Sequence, residues 1–264
     1  MSHPHQVTDV ATPVGTAGPW ATLRGAKRLI HAVAYLLGVA MRMRWGNFAR
    51  VDAAEQHDRM RSWSVGLLRC LGIQVDIEGQ PRPGAKLVVA NHVSWLDIMA
   101  INAVAPSRFV SKAEVGRWPV VGMMVTLAGT LYIERARPRD AKRVLELLAT
   151  TLREGRTAAV FPEGTTSEGH SVMPFHANLL QAVIDADVPV QPMALRYRDA
   201  AHAVSPAASY AGDKTLPRSV WQVVTAEGLA VRVRVLPPER VTHSDRRALA
   251  QRLHDEITQA LASE

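Results

Sequence analysis

In the stretch NHVSWLD, residues 91–97, a histidine and an aspartate stand five positions apart, with no serine or cysteine nucleophile in a recognisable setting. An imidazole that donates from one ring nitrogen to a carboxylate keeps the other nitrogen as a neutral base near pH 7. With no protein nucleophile to serve, such a pair has only an incoming substrate hydroxyl to deprotonate. The plainer reading is structural: Ser94 and Asp97 have the spacing of a capping box ahead of an apolar helical run, which leaves His92 an ordinary loop residue. A second stretch, VFPEGTTSEG at 160–169, places a carboxylate, Glu163, between a proline and a glycine at the end of an apolar run. There it can bind a hydroxyl or position a base, and Gly164 lets the backbone come close to a ligand. Its plain counterpart is an ordinary turn.

The elements around these stretches are legible from periodicity. Short β-branched runs alternate with helical periods after residue 72. IQVDIEG, KLVVAN, RFVSK, TLYIER, TAAVF and VPVQPMALRYR read as strands, with two further strands around WQVV and AVRVRVL. SWLDIMAINAV, PRDAKRVLELLATTLREG and ANLLQAVIDAD read as helices, EVGRWPVVGMMVTLAG as a helix broken at Pro119 and Gly122, and a final helix runs from Ser244. This alternation predicts an α/β fold with a mostly parallel or mixed sheet flanked by helices. Ligands of such sheets lie beyond the carboxyl ends of the strands, where both stretches fall.

Before residue 73 the character differs. Residues 1–19 have neither the basic nor the apolar segment of a signal peptide and are expected to form a mobile tail. Residues 20–72 hold a thirteen-residue apolar run, Leu29–Met41, too short to span a bilayer, and a second helical stretch, RMRSWSVGLLRCLGI. From Arg24 to Arg69 there are nine Lys and Arg against three Asp and Glu, a local net charge of +6. Apolar helices flanked by cations predict an N-terminal two-helix membrane-associating motif facing lipid phosphates, with the domain proper at 73–264. The chain carries +7 overall and one cysteine, Cys70, so an anionic partner and a reducing compartment are expected and a disulfide framework is excluded. Aromatics make up 5% of residues, too few to interleave a nucleic-acid surface, so no nucleic-acid partner is expected. The remaining histidines lack metal-ligand spacing.

Read in order, the motifs resemble those of the glycerolipid acyltransferases, the family of the bacterial 1-acylglycerol-3-phosphate acyltransferases. NHVSWLD is similar to their NHxSxxD block, GTLYIER (129–135) to a G-x-x-x-I-x-R block, FPEGTTS to FPEGTR, and VPVQPMAL (188–195) to a V-P-[IV]-x-P strand; SKAEVGRWPVVG resembles the segment before the second block. The match covers roughly residues 70 to 200. The resemblance implies that His92 is the general base and Asp97 its orienter, with Arg135, Glu163, Gly164, Thr165 and Thr166 at the acceptor site. It implies acyl-ACP or acyl-CoA as donor substrate, no metal or other cofactor, and a lysolipid acceptor at the cytoplasmic face of the inner membrane. The family's third block ends in arginine where this chain has Thr166, which cannot supply that charge. FPEGTTS resembles the form of a branch that includes lyso-ornithine lipid acyltransferases. As the commonest substrate of the family it resembles, lysophosphatidate is the expected acceptor, lyso-ornithine lipid the alternative, and a non-catalytic lipid-binding protein the reading from another class; the intact His92 and Asp97 speak against the last.

Overall fold

The structure is a computed structural model that describes residues 18–134, 138–241 and 245–263. Most of the expected 1–19 tail lies outside it, but the tail ends early: Gly18 caps a helix that begins at Pro19, a residue suited to a first turn. This helix, α1, runs Pro19–Trp45 and is followed by α2, Ala53–Leu71, whose N-cap Asp52 accepts from the Glu55 amide and whose end is set by Gly72 in the left-handed region. Next come β1 (Gln74–Glu78), β2 (Lys86–Ala90), α3 (Asp97–Val104) and β3 (Arg108–Lys112). A 3-10 turn at 113–117 leads into α4 (Val121–Leu127), β4 (Leu131–Ile133), α5 (Pro138–Arg153) and β5 (Thr157–Val160). After a 3-10 turn, Ala177–Leu180, the chain continues with α6 (Gln181–Ala186), β6 (Val190–Arg198), α7 (Leu216–Thr225), β7 (Ala230–Val235) and α8 (Arg246–Ala262).

The strands form one sheet in the order β1-β7-β6-β2-β5-β3-β4, parallel except for β6 against β7. It is a mixed sheet, and the α/β expectation holds. In β2, Leu87 and Val89 face α5, α6 and α8 while Val88 and Ala90 face α2, α3 and α7. A strand covered on both sides needs apolar residues at every position, as KLVVA nearly provides.

One expected strand is a helix. WQVV lies inside α7, where Ser219, Val223 and Val224 are buried on one face and Trp221 is exposed. A four-residue β-branched run fits either element, and here the Pro217 first turn and the helical spacing of 219, 223 and 224 decide. The break in EVGRWPVVGMMVTLAG falls at Trp118–Val120, and Val120 takes φ 62. The last helix is capped by Asp245, and Ser244, the expected start, lies outside the described residues.

The α1–α2 hairpin is built into the fold. Leu68 and Leu71 belong to the core beside α3, and Arg28 donates to the carbonyls of Val224 (3.0 Å) and Ala226 (2.8 Å) at the C-terminal end of α7. A guanidinium there satisfies carbonyls that the helix leaves open. No helix among the described residues is long and apolar enough to cross a membrane.

Candidate active site

Strand β2 delivers the histidine. Its last contact with β6 is made by a side chain: Asn91 donates from Nδ2 to the Leu195 carbonyl (3.0 Å) and accepts from the Leu195 amide (2.8 Å). The ladder is thus carried one residue further by a side-chain amide while the main chain turns away. The backbone of His92 is then held from both sides. Its amide donates to Glu163 Oε1 (2.6 Å), and its carbonyl accepts from the Ser167 amide (2.8 Å) and hydroxyl (3.2 Å). The imidazole stacks on Phe161 at 4.0 Å between centroids and 10° between planes, with 19% of the side chain exposed.

His92 Nδ1 lies 2.8 Å from Asp97 Oδ2. Asp97 is fully buried, and the same oxygen accepts from the amides of Val93 (2.7 Å) and Ser94 (2.9 Å), while Oδ1 accepts from the Tyr197 hydroxyl (2.7 Å). A carboxylate that accepts from three other donors is also the acceptor towards Nδ1. That places the imidazole proton on Nδ1 and the lone pair on Nε2. Among the described residues none is hydrogen-bonded to Nε2.

One oxygen of Asp97 thus makes both contacts. It supports the helix start by accepting from Ser94, and it orients the imidazole. The capping box is only half built, because the buried Ser94 hydroxyl has no partner and the N-cap position falls on Leu96.

The second stretch wraps around the first. Glu163 is 4% exposed, and its other oxygen, Oε2, accepts from the Met173 amide (3.0 Å). Burial pushes its carboxyl above the usual value, and the two amides offset only part of that rise. Both oxygens thus brace backbone, including that of the histidine. Gly164 has φ +73, a conformation that favours glycine, whereas the space beside it is ordinary: a Cβ would meet His176 at 3.4 Å. Thr165 is exposed; the Thr166 hydroxyl donates to the Tyr210 carbonyl and so ties the stretch to the 205–212 loop. Arg135 lies outside the described residues, as does Arg137. Lys112 stands exposed at the end of β3.

Two parts of the site have no local sequence signal. Tyr197 sits on β6, one hundred residues from the aspartate it touches, and only the β2–β6 pairing brings them together. Burial and the adjacent Asp97 carboxylate hold the Tyr197 phenol well above its usual value, so it remains a donor. The other part is an apolar cavity between α1, α2, α3, α4 and β3, with about 900 Å³ of empty space partly open to solvent. Val39, Trp63, Leu67, Met99, Phe109 and Met124 are among its walls, and Phe109 lies 6.0 Å from the Phe161 ring that stacks on His92.

Tyr197→Phe removes one donor from a buried carboxylate while keeping the ring. Asp97 then loses one of the four contacts that fix its side chain, and the imidazole it orients is held less firmly. kcat is expected to fall about tenfold with KM close to wild type, in line with a hydrogen bond to a charged group. An unchanged kcat with lowered Tm would reduce Tyr197 to packing.

Comparison with known proteins adds four findings. A family model described as Acyltransferase matches residues 73–196. Over 203 residues, 75% of this chain and 79% of the relative, the chain is 39% identical to a 1-acyl-sn-glycerol-3-phosphate acyltransferase of Neisseria meningitidis. It is 36% identical to a lyso-ornithine lipid O-acyltransferase of Pseudomonas aeruginosa, covering 90% of this chain and 92% of that one. The fold is shared with the crystal structure of the 1-acyl-sn-glycerophosphate acyltransferase PlsC from Thermotoga maritima, at TM-score 0.65 and 21% identity over 91% of this chain and 97% of that one.

Proposed function

This chain belongs to the acyltransferase family, and we propose that it moves a fatty acyl group from a thioester, acyl-ACP or acyl-CoA, to the free hydroxyl of a lysolipid at a membrane surface. The observation that carries the reading is the His92–Asp97 pair with Nε2 unengaged among the described residues, next to an apolar cavity. In this reading Nε2 takes the proton of the acceptor hydroxyl as its oxygen attacks the thioester carbonyl. The tetrahedral intermediate collapses to the ester and expels the thiolate, which takes up the proton from His92. A thioester is reactive enough that no acyl-enzyme is needed; a positioned base contributes about 10²–10⁴-fold, and holding donor and acceptor together adds to it. The cavity receives the acyl chain. Glu163 keeps the His92 backbone in place, Gly164 and Thr165 serve the acceptor headgroup, and Arg135, outside the described residues, is assigned to that headgroup on the motif alone.

Membrane association is supported by α1. Trp20, Leu23, Ile30, Val33, Leu37, Met41 and Trp45 are exposed along it, while Gly25, Ala32, Val39, Ala40 and Met43 are buried on the other side. An apolar face with Lys27, Arg42 and Arg44 on the same helix suits an interface of acyl chains and lipid phosphates, which we assign to the cytoplasmic face of the inner membrane.

Lysophosphatidate is the acceptor we favour, giving phosphatidic acid. The Thr166 hydroxyl, committed to Tyr210, leaves this position without a cation and favours lyso-ornithine lipid as the second reading. The test supplies acyl-ACP with equal amounts of the two lysolipids and follows free thiol together with the acylated products. Efficient use of lysophosphatidate is the expected result, with Thr166→Arg improving it about tenfold or more, the value of one charged hydrogen bond. Wild-type preference for lyso-ornithine lipid would exchange the two acceptors. Thiol release that does not depend on either lysolipid would remove the function.

A further inference from the structure

At the amino ends of the strands, away from His92, a second, shallow hollow with about 270 Å³ of empty space partly open to solvent is lined by Gln56, His57, Ser107, Arg108, Arg156 and Thr157. It shares Met60, Ser107 and Ala128 with the apolar cavity, so the two are contiguous. Its charges are poorly compensated. Neither the Arg108 guanidinium nor the His57 ring makes a hydrogen bond or ion pair with any described residue, and the carboxylate near Arg156, that of Glu154, stands 3.9 Å away. Lys86 and Arg61 stand close to His57, but they donate to carbonyls, Arg82 at 2.6 Å and Val104 at 2.7 Å. Arg108 passes close to Gly129, where an added Cβ would lie 2.7 Å from its Nε. Burial and the neighbouring Arg156 lower the guanidinium from its usual value, and burial with Lys86 and Arg156 lowers the His57 ring. Two guanidiniums partly out of water share the one carboxylate of Glu154 and keep an excess of positive charge, which an arriving anion can pair.

We propose that this hollow binds the carboxylate of a free long-chain fatty acid, whose chain lies in the adjoining apolar cavity. The planar fork of Arg108 matches a carboxylate, and Arg156, its side chain 34% exposed, adds a second guanidinium to the lining. The apolar walls next door argue for an amphipathic anion over a small inorganic one, which would leave that surface unused. A fatty acid held this way occupies the space assigned to the donor's acyl chain and inhibits transfer. That consequence rests on the proposed function, whereas the binding itself does not.

The full chain, in a constant amount of non-ionic detergent, is loaded with the fluorescent fatty acid cis-parinarate, and the probe is displaced with laurate, dodecanol or inorganic phosphate. Laurate is expected to displace it at least about ten times more tightly than dodecanol, and phosphate not at all. Arg108→Met and Arg156→Ala are each expected to weaken laurate about ten- to a hundredfold and to leave dodecanol unmoved. Arg156 is partly exposed, so its variant keeps the test open if the Arg108 variant fails to fold. Equal affinity for acid and alcohol, or undiminished laurate binding in a folded variant, overturns the proposal. Displacement by phosphate as effective as by laurate overturns the long-chain assignment. Val125, on α4, lines the apolar cavity but not the hollow, so Val125→Trp narrows the one without touching the other. Loss of laurate binding in this variant supports the chain placement and its retention overturns it, while its use of long-chain donors separately tests the acyl-chain role of the cavity.

Discussion

Replacing His92 by alanine is expected to lower acyl transfer by at least about a hundredfold while leaving Tm and vesicle binding close to wild type. The size follows from the role: a positioned general base contributes about 10²–10⁴-fold, and the neighbouring carboxylates of Asp97 and Glu163 have their oxygens engaged by other donors. The selectivity follows from the geometry. The backbone of His92 is held by Glu163 and Ser167 through main-chain atoms, which alanine retains. What is lost is the stacking on Phe161 and one of the four hydrogen bonds to Asp97. Purified variant retaining more than about a tenth of wild-type turnover would refute the base. Asp97→Ala would be a poor substitute, because it strips partners from two amides and a buried tyrosine at once and so confuses stability with chemistry.

The second large effect is expected at the membrane. Changing Trp20, Ile30, Met41 and Trp45 together to serine should release the protein from anionic vesicles by about a hundredfold or more in affinity. Fully burying such a side chain contributes about 1.5–3 kcal/mol, and even half of that at each of four sites comes to about 3–6 kcal/mol. Trp20 is 80% exposed and Trp45 73%, so their loss removes little from the fold. Deleting the whole hairpin would be less informative, because Leu68 and Leu71 of α2 are part of the core. Co-sedimentation of the quadruple variant at wild-type levels, with wild-type activity on lipid acceptors, would show that α1 is not the membrane face.

The sequence alone determined the order of the elements and the position of both chemical stretches at strand ends. That much depends on short-range rules: a period near two for strands, a period near four for helices, and proline and glycine at the boundaries. Such rules failed where a short β-branched run satisfies two of them, as WQVV does inside α7. They also located His92, Asp97 and Glu163 without deciding what each does, since a capping aspartate and an orienting aspartate have the same spacing. Only the tertiary structure showed that one oxygen of Asp97 performs both tasks, that Glu163 spends both of its oxygens on backbone, and that Thr166 is tied to Tyr210. Tyr197, the apolar cavity and the cationic hollow at its floor were likewise decided at that level. The physical reason is the same in each case. Burial and hydrogen-bond partnership are properties of neighbours in space, and strand pairing such as β2 against β6 brings together residues that no local pattern links.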